Sequence, residues 1–216
     1  MSTRVSRKTA VIVGLALLVV GAAAAAAETN SGIQGGGGTA IGGTRPAIAR
    51  PRVSGPFPRL TPAPAPPGWR STTLANGTAV LSYPPAMSRV RGDRGSASAA
   101  RFSSSGGYLL YLNATPRQGG ETLGNWAAYR LRFLRSDDAS RALLDAHANG
   151  VHFRGGSGSC VLDDYVTKVG AHHFEELACL VQGRTGASVI VAAAPASQWP
   201  RAQPLLAQAV AAYQFR

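Results

Sequence analysis

Lysine is nearly missing from this chain: of 22 basic residues only Lys8 and Lys168 are lysine, the rest being arginine. With abundant alanine and glycine, that skew points to a high-GC coding background, which accounts for part of the basicity without any appeal to function. Acidic residues are few, 10 against those 22. A nucleic-acid site needs a clustered basic stripe, usually with stacking aromatics or a recognisable motif. Here aromatics are 7% of residues and the arginines are scattered along the sequence, so no nucleic-acid partner is expected. A merely solvated basic surface is the plain reading of such a charge, and weak attraction to an anionic lipid or polymer is the functional use set against it.

Cysteine occurs only as Cys160 and Cys179. Two thiols do not complete a four-ligand zinc site, and no C-x-x-C pair is present. No H-E-x-x-H motif, no Gly-Lys-Ser/Thr after the glycine run and no lipobox cysteine are found. The stretch Gly155-Gly156-Ser157-Gly158-Ser159 lacks the closing glycine of a nucleophile elbow. These gaps leave no cofactor, no metal and no catalytic residue to be named.

What is there begins with the N-terminus. Arg4, Arg7 and Lys8 precede a continuous apolar core over residues 10–20, followed by Gly21 and the alanines of residues 22–27. Ala25 and Ala27 satisfy the A-x-A rule and place a cut after Ala27. The competing reading is an uncleaved anchor, since residues 10–27 carry no charge and approach the lower limit for spanning a bilayer. Either way residues 1–27 export the chain, and the rest works extracytoplasmically, secreted or tethered to the outer face of the membrane.

Residues 28–67 lack the materials of a core. Gly35 to Gly38 make a flexible stretch, and Pro46, Pro51, Pro56, Pro58, Pro62, Pro64, Pro66 and Pro67 a stiffer one, together a disordered linker. The formal charge is +12, but from Gly68 onward fifteen basic and nine acidic residues leave +6.

Residues 68–216 are expected to form a single domain. Residues 78–83, 96–102 and 108–113 read as strands bounded by glycine and proline. Leu123, Trp126, Ala127, Leu131 and Leu134 recur at helical steps. A second helical piece is expected over residues 139–147, stopping at Asn149-Gly150, with His147 near its C-terminal dipole. Residues 188–194 read as a central strand ended by Pro195. A last helix follows, capped by Ser197, with Trp199, Leu206, Ala209, Val210 and Tyr213 on one face and Pro204 delaying its regular part.

Between these lie two strand-like runs, residues 160–168 and 171–179, around Val169-Gly170. A hairpin with a two-residue turn pairs residues whose numbers sum to 339, which puts Cys160 directly opposite Cys179. A cross-strand disulfide is therefore expected, as suits an oxidising compartment. The same register sets Asp164 against Glu175 on one face and Asp163 against Glu176 on the other. Like charges opposed across strands repel, so these four are expected to form an acidic surface patch offset by arginine or solvent. His173 pairs with Val166. A metal site from His172 or His173 with these carboxylates is disfavoured, because adjacent strand residues point to opposite faces.

The order of strands, helical insertion, strands and terminal helix is α+β, a mostly antiparallel sheet flanked by helices. Residues 69–83 with their Ser-Tyr-Pro-Pro ending, the helix around Trp126, the hairpin over residues 159–181, and the run 189–194 followed by Trp199 and a terminal helix resemble PsbP-like domains over about residues 68–216. The resemblance implies an α/β/α sandwich in an exported protein that binds or scaffolds without catalysis, and it transfers no functional residues. The functional expectation is an envelope-associated binding or scaffold domain whose partner is an envelope protein or an anionic surface. Contact with the membrane itself runs through residues 10–27 if they are not cut. The alternative is a small extracytoplasmic hydrolase. Arg91-Gly92-Asp93 and the sequons at Asn76 and Asn113 are short coincidences that change neither reading.

Overall fold

The computed structural model describes Phe57 and residues 59–216, so the export segment and most of the linker lie outside the described residues. Ten strands and two helices follow in the order β1 (Arg70–Thr73), β2 (Ala79–Tyr83), β3 (Ser88–Val90), β4 (Ala97–Phe102), β5 (Tyr108–Pro116), α1 (Trp126–Asp137), β6 (Ala139–Phe153), β7 (Gly156–Thr167), β8 (His173–Gly183), β9 (Ala187–Pro195), α2 (Trp199–Ala211) and β10 (Gln214–Phe215). The main sheet has seven strands in the order β3-β4-β5-β9-β8-β7-β6, all paired antiparallel. A smaller sheet has the order β1-β2-β10.

Strand alternation splits the main sheet into two differently covered faces. On one face Leu177, Cys179 and Val181 of β8 join Ile190 and Ala192 of β9 beneath α2 and the small sheet. On the other, Ala178 and Leu180 join Val161 and Val191 beneath Trp126 of α1. Trp126 is anchored there, its indole N–H donating to the carbonyl of Ala178 at 3.0 Å. One helix thus lies on each face of a sheet-dominated α+β fold.

The hairpin register is met, with Cys160 facing Cys179, Asp163 facing Glu176, Asp164 facing Glu175 and Val166 facing His173, but residues 168–171 form the turn in place of the expected two-residue one. The disulfide is formed and both cysteines are fully buried. Residues 187–195 are the fourth of seven strands, central as expected.

Four expectations need correction. Residues 139–147 are not helical but belong to β6, a 15-residue strand. Alanine and leucine favour a helix there, but β7 offers a full backbone ladder, and that tertiary pairing overrides local propensity. His147 accordingly lies opposite Val161 on a strand, away from any helix end. Asn149-Gly150 is an irregularity within β6: Gly150, at φ 68°, sits where the register slips between Ala148 and Val151.

Ser197 does not cap α2; Gln198 takes that position without a side-chain bond. Pro204 lies inside the helix without delaying it, because in the second turn it removes only the bond to Pro200. Finally, ordered packing begins before Trp69. Phe57 and Leu60 lie against the main core, and the Ala63 N–H donates to the Ala211 carbonyl at 3.1 Å. Apolar side chains between the prolines supply what the linker composition conceals.

Candidate functional site

The four carboxylates of the hairpin separate into two sites on opposite faces of the sheet. Asp163 and Glu176 project under α1 and are buried, 1% and 0% exposed, which overturns the surface-patch expectation for this pair. The expectation fails because the register decides which residues share a face, whereas the position of α1 decides which face is sealed. Arg130 reaches down from α1 with its Nε 2.7 Å from Glu176 Oε1, and its Nη2 donates to the same oxygen. Arg130 is itself buried.

One arginine cannot compensate two carboxylates, and the geometry shows the shortfall. Both oxygens of Asp163 and Oε2 of Glu176 meet no donor from another described side chain or backbone group. Burial pushes the Asp163 carboxyl well above the usual carboxylate range. Repulsion from Glu176 pushes the same way, against the smaller pull of Arg130. Held protonated, Asp163 becomes the donor that Glu176 lacks, the two groups being within hydrogen-bond reach. The cluster is then neutral overall: one cation, one anion and one carboxylic acid. For Arg130, burial opposes the charged form, but Glu176 and Asp163 outweigh it and its pKa is raised. Tyr165, stacked on Phe174 with centroids 5.7 Å apart, is likewise pushed up by burial and then by Glu176.

On the opposite face the remaining pair, Asp164 and Glu175, is partly exposed. Asp164 accepts from Arg141 Nη2 at 2.8 Å and from the ring of His173 through Nε2. Glu175 is raised by burial and then by Asp145 and Asp164. His173 therefore has a carboxylate partner that the hairpin register sets near it without pairing the two. Arg141 falls in the stretch expected to be helical, which hides its reach to Asp164. His172 lies in the turn and does not join this group; its backbone N–H donates to Thr167 Oγ1 at 2.9 Å.

Among the described residues no group of three or more histidine, cysteine or acidic side chains has the geometry of a metal site. Ser159 donates to Asn149 Oδ1 at 2.6 Å, a structural bond inside the β6–β7 ladder. Asn113 is buried and accepts from Ser98 Oγ at 2.8 Å, so its sequon has no room for a glycan, whereas Asn76 is exposed.

The outer strand β6 presents the other conspicuous surface. It ends the sheet order, with only β7 beside it. Leu143 and Leu144, 46% and 36% exposed, project to opposite faces of that edge. Register slips interrupt it after Ala139, Leu144 and Ala148, devices that blunt indiscriminate strand pairing.

No protein-family model and no curated protein matches the chain. Solved structures do. Cyanobacterial PsbP (CyanoP) from Synechocystis sp. PCC 6803 is similar at 12% identity and TM-score 0.47, over 75% of this chain and 96% of that one. LpqN of Mycobacterium tuberculosis, described as involved in cell envelope biogenesis, is similar at 12% identity and TM-score 0.35, over 70% and 80%. A Pseudomonas aeruginosa protein of unknown function, PA94, described as a putative regulator, is similar at 10% identity and TM-score 0.39, over 66% and 94%. The family named from the sequence thus recurs among the structures similar to this chain.

Proposed function

We propose that this chain is an exported, envelope-associated binding domain without catalytic activity. The observation that carries the binding reading is the open outer strand β6, which exposes Leu143 and Leu144 beside the paired charges of Arg141, Asp164 and His173. The groups that chemistry would draw on serve the fold instead: Arg130, Glu176 and Asp163 are sealed under α1, and both cysteines are joined. The disulfide supports an oxidising compartment, and the charge and apolar pattern of residues 1–27 supports export. The partner class is an envelope protein, met at the β6 edge.

The test is in-situ crosslinking of the tagged protein in its host, followed by mass spectrometry, compared with a Leu143→Asp/Leu144→Asp variant. The expected result is a reproducible protein partner lost in the variant. A monomeric, uncrosslinked protein in both cases contradicts the reading. The hydrolase alternative rests on the His173–Asp164 contact alone; it predicts hydrolytic turnover abolished by His173→Ala, and the binding reading predicts none to abolish.

A further inference from the structure

The arginines that are scattered in sequence meet at one end of the main sheet. Arg91 and Arg94 lie in the β3–β4 connection, and Gly95 of that loop comes next to Pro116 at the end of β5. Arg117 follows, its N–H bonded to the Ala187 carbonyl at the start of β9. Arg184 occupies the β8–β9 turn and Arg154 the β6–β7 turn. Arg216 is drawn to the same end, its N–H donating to the Thr78 carbonyl at 2.7 Å and its carbonyl accepting from Thr185 Oγ1 at 3.2 Å.

The packing that gathers them is specific. The Phe215 N–H donates to the Arg154 carbonyl at 2.8 Å, and its backbone and ring lie over Gly155 and Gly183. A Cβ at either glycine would collide with Phe215, and Gly155 also holds φ 88°. Glycine at both turns lets the C-terminus tuck in, bringing Arg154, Arg184 and Arg216 together.

Acidic side chains lie elsewhere. At this end stand Asp93 and Glu121, and Glu121 is buried, accepting the N–H groups of Gln118 and Gly119 at 2.9 and 2.8 Å. Asp137, Asp138, Asp164 and Glu175 lie toward the opposite end, at the C-terminus of α1 and near the β7–β8 turn. The ion pairs among the described residues engage Arg130, Arg141 and His173, none of the six rim arginines. Arg101, Arg132, Arg135, Lys168 and Arg201 also lie toward that opposite end, so charges of both signs offset one another there, whereas at the rim the arginines outnumber the acids.

The shape of the basic end selects its partner. Seven strands about 4.8 Å apart spread the arginines along a rim on the order of 30 Å wide, suited to an extended anionic plane and too wide for one small anion. The linker arrives at the same end: Ala63 bonds to Ala211 in the last turn of α2, just before the chain enters β10 beside Arg154. Residues 28–56 can span at most on the order of 100 Å, so a chain held by its export segment keeps this rim within reach of the bilayer.

We propose that the rim formed by Arg91, Arg94, Arg117, Arg154, Arg184 and Arg216 docks the domain on anionic lipid headgroups, turning the opposite end, with Leu143 and Leu144 of β6, away from the membrane. The inference rests on the envelope reading above and adds an orientation to it.

The test uses the full chain and vesicles of phosphatidylcholine alone or with one third phosphatidylglycerol. Wild type is compared with Arg117→Glu/Arg184→Glu on the rim, and with Arg101→Glu/Arg132→Glu away from it. All four arginines lie outside the buried core, and the two variants change net charge equally. Binding to phosphatidylcholine alone measures any contribution of residues 1–27. The rim variant is expected to lose at least about tenfold in affinity for the anionic vesicles, and the other variant less than about threefold. Equal losses in both variants, or no preference of the wild type for phosphatidylglycerol, overturn the proposal. So does tighter binding to soluble polyphosphate than to the vesicles, which assigns the rim to a free phosphate polymer. Crosslinking at β6 is read separately, so a partner found there with no vesicle binding removes the orientation and leaves the binding domain.

Discussion

Asp163 is a carboxyl group whose burial favours its protonated form. Its pKa in the folded state stands well above the usual range because of burial and of Glu176 beside it. In the unfolded chain it ionises near the ordinary value of about 4. The folded state thus binds more protons above that pH. The stability contributed by this group is complete below the unfolded pKa and is lost as pH rises toward the folded one. Asp163→Asn keeps the shape and supplies a permanent donor to Glu176. It is expected to raise stability at pH 8 by about 1.5–3 kcal/mol and to flatten the pH dependence, as read by urea unfolding at pH 5 and pH 8. A variant as pH-dependent as the wild type over that interval would mean that Asp163 is ionised in the fold. Arg130→Met acts in the other direction, leaving Glu176 buried without its cation. It is expected to cost about 3–5 kcal/mol in the same measurement at pH 8.

At the scale of elements, the β7–β8 hairpin is legible in the residues alone, because a turn centred on Val169-Gly170 fixes the register and strand alternation then fixes every pair, although the turn itself takes residues 168–171. That logic locates the disulfide. Replacing Cys160 and Cys179 together by alanine is expected to cost about 3 kcal/mol, the loop-closure value for their separation of 19 residues. Denaturant unfolding without reductant measures it, and an unchanged midpoint would show that the ladder alone holds the hairpin. β6 is not legible in the same way. Its alanines and leucines carry a helical preference, and what overrides that preference is the edge of β7, a partner that lies after it in the sequence. The burial of Asp163 and Glu176 is hidden for a related reason: register sets their shared face, but only the docking of Trp126 against Ala178 shows that α1 covers it. Arg130 stands in the helix read from the sequence, yet nothing there ties it to Glu176, 46 residues away.

At the scale of the whole molecule, charge follows topology. Sequence places the arginines in separate connections; the antiparallel order brings alternate connections to one end, and so converts scattered residues into a rim. The buried ionic cluster, the disulfide and the central strand β9 make a stiff body, with the basic rim at one end and the outer strand β6 along one side. Such a body suits a domain that is held and oriented at a surface. Electrostatic docking of this kind weakens as salt is raised, because the screening length falls from about 10 Å at 0.1 M to about 3 Å at 1 M. Affinity for anionic vesicles is accordingly expected to drop at least about tenfold across that range, and a salt-insensitive affinity would assign binding to an apolar contact instead.

Every one of these roles presumes that the domain lives outside the membrane. The most direct measurement is to fractionate host cells, block free thiols with an alkylating mass tag without reductant, and follow the protein by mass. The expected result is a chain in the envelope or medium, unlabelled at Cys160 and Cys179 and accessible to protease added to intact spheroplasts. A full-length chain in the cytosol with both thiols labelled would contradict it.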